Sequence, residues 1–336
     1  MGLYDKGLSV LEQYDLEATA VYRGRGALIC DTKEGTVLIR EFLGTQRKLE
    51  YQAELLSSIS KSGEVLTDEI LANQEGNYIS LDKENVSYIV KRWYQGRECD
   101  TRSERDIYAG ISAMAALHKV MQMPTQMHYA KEPLSREFQR HNAELRKIRK
   151  FVSVKRKKND FELQFLDSIK GYLEHGEEAL KSLETSQYEK LKANALEKGT
   201  VCHGDYNQHN VWLLEQKAEQ KVAVTNFDSW NYDVQTADLY QFMRKILEKH
   251  DWDFKIGKNM LNKYQEIKPL SKEELENLRV RFAYLRVRFA YPEKYWKLAN
   301  YYYTHNKAWT SEKNLEKLKK LTAQHDNWRN FVESMV

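Results

Sequence analysis

The chain is expected to be an α+β protein of two lobes, a small strand-rich N-terminal lobe and a large, mostly helical C-terminal lobe. Three observations lead there. Apolar and polar residues alternate between about Ala18 and Phe42. Nearly everything after Asp100 has helical spacing. The one strand-rich stretch of the second half, Val201 to Asn226, carries a dense set of His, Asp and Asn. The boundary is placed near residue 95, giving segments 1–95 and 96–336.

The elements follow in order. Val37, Ile39 and Glu41 alternate with Leu38, Arg40 and Phe42. Lys33-Glu34-Gly35 separates this run from Ala27–Cys30, which makes a hairpin. Arg47 to Ile59 has Leu49, Ala53 and Leu56 at helical spacing. Tyr78 to Leu81 and Val86 to Trp93 read as strands, and Gln95-Gly96-Arg97 breaks the pattern as an interlobe hinge would. Arg105 to Met121 suits a buried helix, and Ser135 to Val152 and Asp160 to Leu183 suit long charged ones. Their connection, Lys155-Arg156-Lys157-Lys158, is read as a solvated turn, with an anionic partner as the less favoured alternative. Ser271 and Glu274 have capping-box spacing. Leu278–Tyr284 and Leu285–Tyr291 are identical heptads, which keep one helical face buried and are too few for a solenoid. Tyr295, Trp296, Tyr301, Tyr302, Tyr303 and Trp309 are read as helix packing.

Composition narrows the function classes. A net charge of +4 is too small to imply nucleic acid, so no nucleic-acid partner is expected. Cys30, Cys99 and Cys202 lie far apart without zinc or disulfide spacing, which suits a reducing compartment. Met1 to Val10 has no apolar signal segment, no run approaches the length of a membrane span, and Lys6 stands where myristoylation wants Ser or Thr. A mean hydropathy of -0.74 fits a soluble intracellular protein with no membrane partner.

The chemistry is concentrated in His203-Gly204-Asp205-Tyr206-Asn207-Gln208-His209-Asn210 and in Val224-Thr225-Asn226-Phe227-Asp228. Phosphoryl transfer needs a carboxylate to orient and deprotonate the attacking hydroxyl, oxygen ligands for magnesium, and a cation on the phosphates. Asp205 is the candidate base. Asn210, five residues on, can turn its amide oxygen into the same cleft as a metal ligand. His203 braces the loop, and Gly204 lets the backbone bend before Asp205. A second ligand is expected past a short hairpin made of Leu213-Leu214 and Val222–Val224, with Glu215 to Lys221 as its turn. That position falls on Asn226, a neutral donor where magnesium prefers an anionic one. Asp228 supplies the missing charge if the strand stays regular that far, because residues i and i+2 then share a face. Arg40 is the candidate phosphate cation, with Glu50 or Glu54 on the following helix as its partner and spacing unable to choose between them.

Each of these residues also has a plainer reading. His203, Asp205 and His209 lack a further ligand at metal spacing. Asp238 is either a helix cap or a structural acceptor for the loop backbone, and the latter is preferred. The absence of a Walker motif argues against a P-loop enzyme, and Arg23-Gly24-Arg25-Gly26 is a weak match to a phosphate-covering loop.

These residues resemble the aminoglycoside phosphotransferase-like kinases, of protein-kinase-like fold, and within them the CotS family of spore coat proteins. The resemblance runs through Trp93-Tyr94-Gln95-Gly96-Arg97-Glu98, the loop His203 to Asn210, Asn226-Phe227-Asp228, Tyr232-Asp233 and Asp238-Leu239. Tyr291-Pro292-Glu293-Lys294-Tyr295-Trp296, Tyr301-Tyr302 and Lys307-Ala308-Trp309 are distinctive of the spore-coat branch. It implies ATP and magnesium as cofactors, Asp205 as base, Asn210 as metal ligand, Asn226 at the metal-aspartate position and Arg40 at the phosphate-lysine position. It also implies a small-molecule hydroxyl acceptor, cytoplasmic synthesis, and a place among spore coat proteins. The chain departs from the kinase pattern at Asn226 and Arg40. The expectation is therefore a kinase-fold coat protein whose phosphotransfer is weak or lost, against an active ATP-dependent phosphotransferase in which Asp228 assists the metal. A basic binding surface at Lys155 to Lys158 is third.

Overall fold

The computed structural model describes residues 7–214, 222–283, 292–305 and 311–323, with 327, 330, 331 and 334 beyond them. These fall into two compact units, Met1–Met123 with Val201–Trp230 and Pro124–Thr200 with Asn231–Val336. The expected α+β class holds, since antiparallel sheet and many helices share the chain.

The first unit is built on a five-stranded sheet of β1 (Ala18–Gly24), β2 (Ala27–Thr32), β3 (Gly35–Glu41), β5 (Ser80–Leu81) and β6 (Ser87–Arg92). Its order is β1-β2-β3-β6-β5. The hairpin expected around Gly35 is present, with Leu28 opposite Ile39 and Cys30 opposite Val37. Strand alternation gives the sheet two different faces. Leu28, Cys30, Val37, Ile39, Tyr88 and Val90 pack with Val10 and Leu11 of the N-terminal 3-10 turn Leu8–Tyr14. On the other face lie Ala27, Ile29, Leu38 and Trp93. The same alternation puts Arg40 and Lys91 on this second face, as diagonal neighbours, because Leu38 is opposite Lys91 and Arg40 opposite Ile89.

Helix α1 (Gln46–Ser62) follows β3 and buries Leu49, Gln52, Ala53, Leu55, Leu56 and Ile59. It stops at Gly63, whose left-handed backbone lets its N–H reach Ser60 O. A second sheet has the order β4 (Leu66–Thr67), β10 (Val222–Val224), β9 (Val211–Leu214), β7 (Gly96–Glu98). Gln95-Gly96-Arg97, expected as a break, thus opens a short strand, because Gly96 pairs with Leu214 and Arg97 with Leu213. Strand β7 is tied to α2 (Glu104–Val120) by Arg97, whose guanidinium forks onto Asp106, with Nη2 3.1 Å from Oδ1. Asp106 lies in the first turn of α2 and donates its N–H to the capping Ser103 hydroxyl. The short strand β8 (Val201–Cys202) leads into the loop that follows. Cys30, Cys99 and Cys202 are all buried. The turn expected at Glu215 to Lys221 lies outside the described residues.

The second unit contains α3 (Leu134–Ser153), α4 (Asp160–Thr185), α5 (Tyr188–Glu197), β11 (Asn231–Tyr232), α6 (Thr236–Leu247), α7 (Phe254–Ile267), α8 (Lys272–Ala283), α9 (Pro292–His305) and α10 (Ser311–Ala323). Between α3 and α4, Lys155 pairs with buried Glu162 and Lys158 donates to Lys155 O at 2.6 Å. The turn uses two of its cations locally, as a solvated turn would. Asn159 and Glu162 form a reciprocal capping box on α4, and Ser271 and Glu274 form the expected one on α8. Of the late aromatic residues, Tyr295, Trp296 and Tyr302 pack between helices, while Tyr301 and Tyr303 are exposed. Tyr295 stacks on Tyr172 at 3.6 Å, Trp296 on His141 at 3.6 Å, and Tyr303 meets Phe151 edge-on. Trp309 and the second heptad, Leu285–Tyr291, lie outside the described residues.

Gly96 lies against the backbone of the neighbouring strand. A Cβ there would stand 2.3 Å from Leu213 O and 3.1 Å from Trp212 Nε1. Gly96→Ala is expected to part β7 from β9 and lower stability by about 1–3 kcal/mol in urea unfolding.

Candidate functional site

The loop after β8 is held by its own polar side chains. His203 is fully buried. Its Nε2 lies 3.0 Å from Thr225 O, and its Nδ1 accepts the Asp205 N–H at 3.2 Å. A carbonyl on one side and an N–H on the other require the neutral Nε2–H tautomer. Gly204 takes φ +81°, the left-handed bend expected before Asp205. Asn207 and Asn210 both donate side-chain N–H groups to Asp205 O at 2.9 Å. Two amides on one carbonyl fix the loop around Asp205. They also orient the Asn210 amide, whose Oδ1 faces Arg25 Nη2 at 3.5 Å. Asn207 Oδ1 accepts the His209 N–H, and Asn210 O accepts the Thr225 N–H, so the loop is stitched to the end of β10.

Strand β10 ends at Val224. Asn226 is left-handed, at φ 67° and ψ 57°, and Phe227–Ser229 form a 3-10 turn. The regular strand on which Asp228 would share a face with Asn226 is therefore not formed. Asparagine is among the few non-glycine residues that adopt this backbone readily. The bend aims the Asn226 N–H at Asp68 Oδ2, 3.0 Å away.

Asp228 is instead the centre of a cation cluster. Arg40 Nη2 donates to its Oδ2 at 2.6 Å. Gln52 Nε2 donates to its Oδ1 at 3.4 Å, Lys91 Nζ lies 3.5 Å from the same oxygen, and Lys48 Nζ donates to its main-chain carbonyl at 2.9 Å. Burial alone would raise the Asp228 pKa, but the charges of Lys91 and Arg40 and the hydrogen bonds from Arg40 and Gln52 outweigh it and hold the carboxyl below its usual value. Lys48 is pushed down by burial, against the charge of Asp228. Lys91 itself is almost fully buried and also pairs with buried Asp68, Nζ to Oδ2 3.0 Å. Asp68, Lys91, Asp228 and Arg40 thus alternate in sign and cancel, and Lys48 adds a further positive charge.

Arg40 pairs with Asp228, not with the expected Glu50 or Glu54 of α1. Glu50 and Glu54 are four residues apart on the solvent side of the helix, both exposed, and Glu50 accepts from Gln46. The helix face that meets Asp228 carries Lys48 and Gln52, so it offers donors rather than a carboxylate. Asp238 lies in the second unit, buried in the first turn of α6; Gln235, not Asp238, is the N-cap. His203 and His209 make no common metal cage, since His203 is engaged by Thr225 O and the Asp205 N–H while His209 Nδ1 meets Glu98 at 2.5 Å. The structure also brings in Asp68, Lys91, Lys48 and Gln52, none of which sequence reasoning named. Alternation in Val86 to Trp93 could have flagged Lys91, a lysine that shares a strand face with Ile89 and Trp93.

Comparison with known proteins agrees with this architecture. Residues 8–335 match the family described as "Spore coat putative kinase YutH". Spore coat protein S of Bacillus subtilis (strain 168) is 25% identical over 176 residues, which are 52% of this chain and 47% of that protein. The chain therefore spans about half the length of the curated relative it matches. Among solved structures, an aminoglycoside phosphotransferase from Alicyclobacillus acidocaldarius superposes with a TM-score of 0.84 at 15% identity, covering 98% of this chain and 94% of the other. A spectinomycin phosphotransferase in complex with ADP and spectinomycin gives 0.64 at 13% identity, covering 98% and 97%. At these identities the likeness is one of fold.

Two outcomes follow from the cluster. Lys91→Met leaves Asp68 buried without its counter-ion and is expected to lower stability by about 3 kcal/mol in chemical denaturation. Asp228→Asn removes a carboxyl whose folded pKa is depressed. Its contribution is present above the unfolded value of about 3.9 and is lost as pH falls through the lower folded value. The stability gap between the parent and Asp228→Asn is therefore expected to be constant near neutrality and to close as pH falls below about 4.

Proposed function

The chain belongs to the spore-coat family of kinase-like proteins that its residues 8–335 match, and on that premise we propose that it acts in the coat through protein contacts, with magnesium-dependent phosphotransfer lost. The observation that carries this reading is the state of Asp228. Magnesium binds hard anionic oxygens in near-octahedral geometry and does not shed its water readily. Of the oxygens expected to hold it, the amide oxygen of Asn210 faces Arg25, Asn226 offers only a neutral amide, and the Asp228 carboxylate is already neutralised by Arg40 and Lys91. A cation added to that set meets cations, so these residues do not fit the metal. No phosphotransfer step is derived through it.

One observation favours the competing reading, an ATP-dependent kinase acting on a small-molecule hydroxyl with Asp205 as base. The loop around Asp205 keeps internal hydrogen bonds through His203, Asn207 and Asn210. That order is equally what a fold retained for its shape requires. Coat proteins are the partners on the preferred reading.

Thermal denaturation with ATP separates the two, since a ligand that binds only the folded state raises the transition by mass action. No magnesium-dependent rise is expected up to millimolar ATP, on the order of typical substrate affinities. A rise of several degrees that needs magnesium would establish the kinase reading instead. Asn226→Asp restores an anionic donor and is expected to introduce a magnesium-dependent nucleotide response absent from the parent. A silent Asn226→Asp would move the metal position away from residue 226.

A further inference from the structure

The turn between β1 and β2 is the part of the glycine-bearing segment that the reading above leaves unexplained. It consists of two residues, Arg25 at φ 58° and Gly26 at φ 72°, both left-handed. A two-residue hairpin turn of this kind favours Asn-Gly, because its first position suits Asn, Asp or Gly. Arginine there is strained, and a strained backbone position points to a reason held elsewhere.

That reason lies in what the guanidinium reaches. Nη1 donates to His209 O at 2.5 Å, and Nη2 lies 3.5 Å from Asn210 Oδ1. Glu98 Oε1 is 3.7 Å from Nη1, and the group stands 5.6 Å over the Trp212 ring. Glu98 in turn holds His209 through Oε2. One side chain thus spans from the β1–β2 turn to the loop 203–210, to β7 and to β9, all within the first unit. Its partners are a carbonyl, an amide oxygen, a carboxylate and a π face, a set suited to a planar forked cation and not to a point charge.

We propose that Arg25 is a built-in cation for the catalytic-type loop, a guanidinium clasp that engages Asn210 Oδ1 where a metal would otherwise draw on that oxygen, and that it fixes the β1–β2 turn to the loop. Arg25 is then a positioning residue, and the backbone strain at residue 25 is retained because the side chain is needed. The clasp goes beyond the phosphotransfer reading and involves no nucleotide, so its failure and the failure of that reading are distinguishable.

Hydrogen–deuterium exchange on the full chain tests it. Arg25→Asn improves the turn chemistry while removing the fork, so the two roles predict opposite signs. With the clasp, amides of residues 205–212 exchange faster in Arg25→Asn, on the order of tenfold, while the β1–β2 hairpin stays protected. Arg25→Lys keeps the charge without the fork and is expected to give the same rise. If residues 205–212 exchange in Arg25→Asn at the parent rate, the clasp is overturned. Full parent-like protection in Arg25→Lys would overturn its dependence on a guanidinium.

Discussion

The capture of the Asp228 carboxylate by Arg40 and Lys91 organises the first unit. Arg40 comes from β3, Lys91 from β6, and Gln52 and Lys48 from α1. One carboxylate at residue 228 therefore draws together two strands and a helix from the first hundred residues. The arrangement depends on the sheet having two unlike faces, one buried under Val10 and Leu11 and the other carrying these two cations. It depends equally on Asn226, whose left-handed backbone turns the chain out of β10 so that Asp228 arrives among them.

The electrostatics follow from that geometry. A lysine as buried as Lys91 is tolerable only with counter-charge at contact distance, and Asp68 and Asp228 supply it from two sides. Asp68 also receives the Asn226 N–H, so the residue that bends the chain and the residue that neutralises the lysine are hydrogen-bonded to each other. A cluster that cancels its own charge in this way stabilises the fold without an added ion. The neutral Asn226 suits it, because a further carboxylate beside Asp68 would repel. Arg40 and Asn226 are then two parts of one arrangement, a cluster whose charges are balanced by its own side chains.

Much of this was legible in the sequence, for reasons that can be located. The hairpin around Gly35, helix α1, the long helices α3 and α4 and the capping box at Ser271 follow from local periodicity and local hydrogen bonding. The loop His203 to Asn210 was readable because its members are contiguous and bond to one another. What was not legible is set by tertiary contact. Chain order points from Arg40 to α1, the helix that follows β3, yet its partner lies 188 residues away at Asp228. The i, i+2 argument for Asn226 and Asp228 assumed an extended strand, and one left-handed residue removes that premise. Lys91 and Asp68 form a pair 23 residues apart that no motif marks.

The titration of Asp228 itself, followed by carboxyl-resolved 13C NMR in the parent and in Arg40→Met, measures the central interaction most directly. The account predicts a midpoint below the ordinary carboxyl value of about 3.9 in the parent, moving upward when Arg40 is removed. A parent midpoint at or above that value, unmoved by Arg40→Met, would contradict the claim that the Asp228 carboxylate is committed to the cations of β3 and β6.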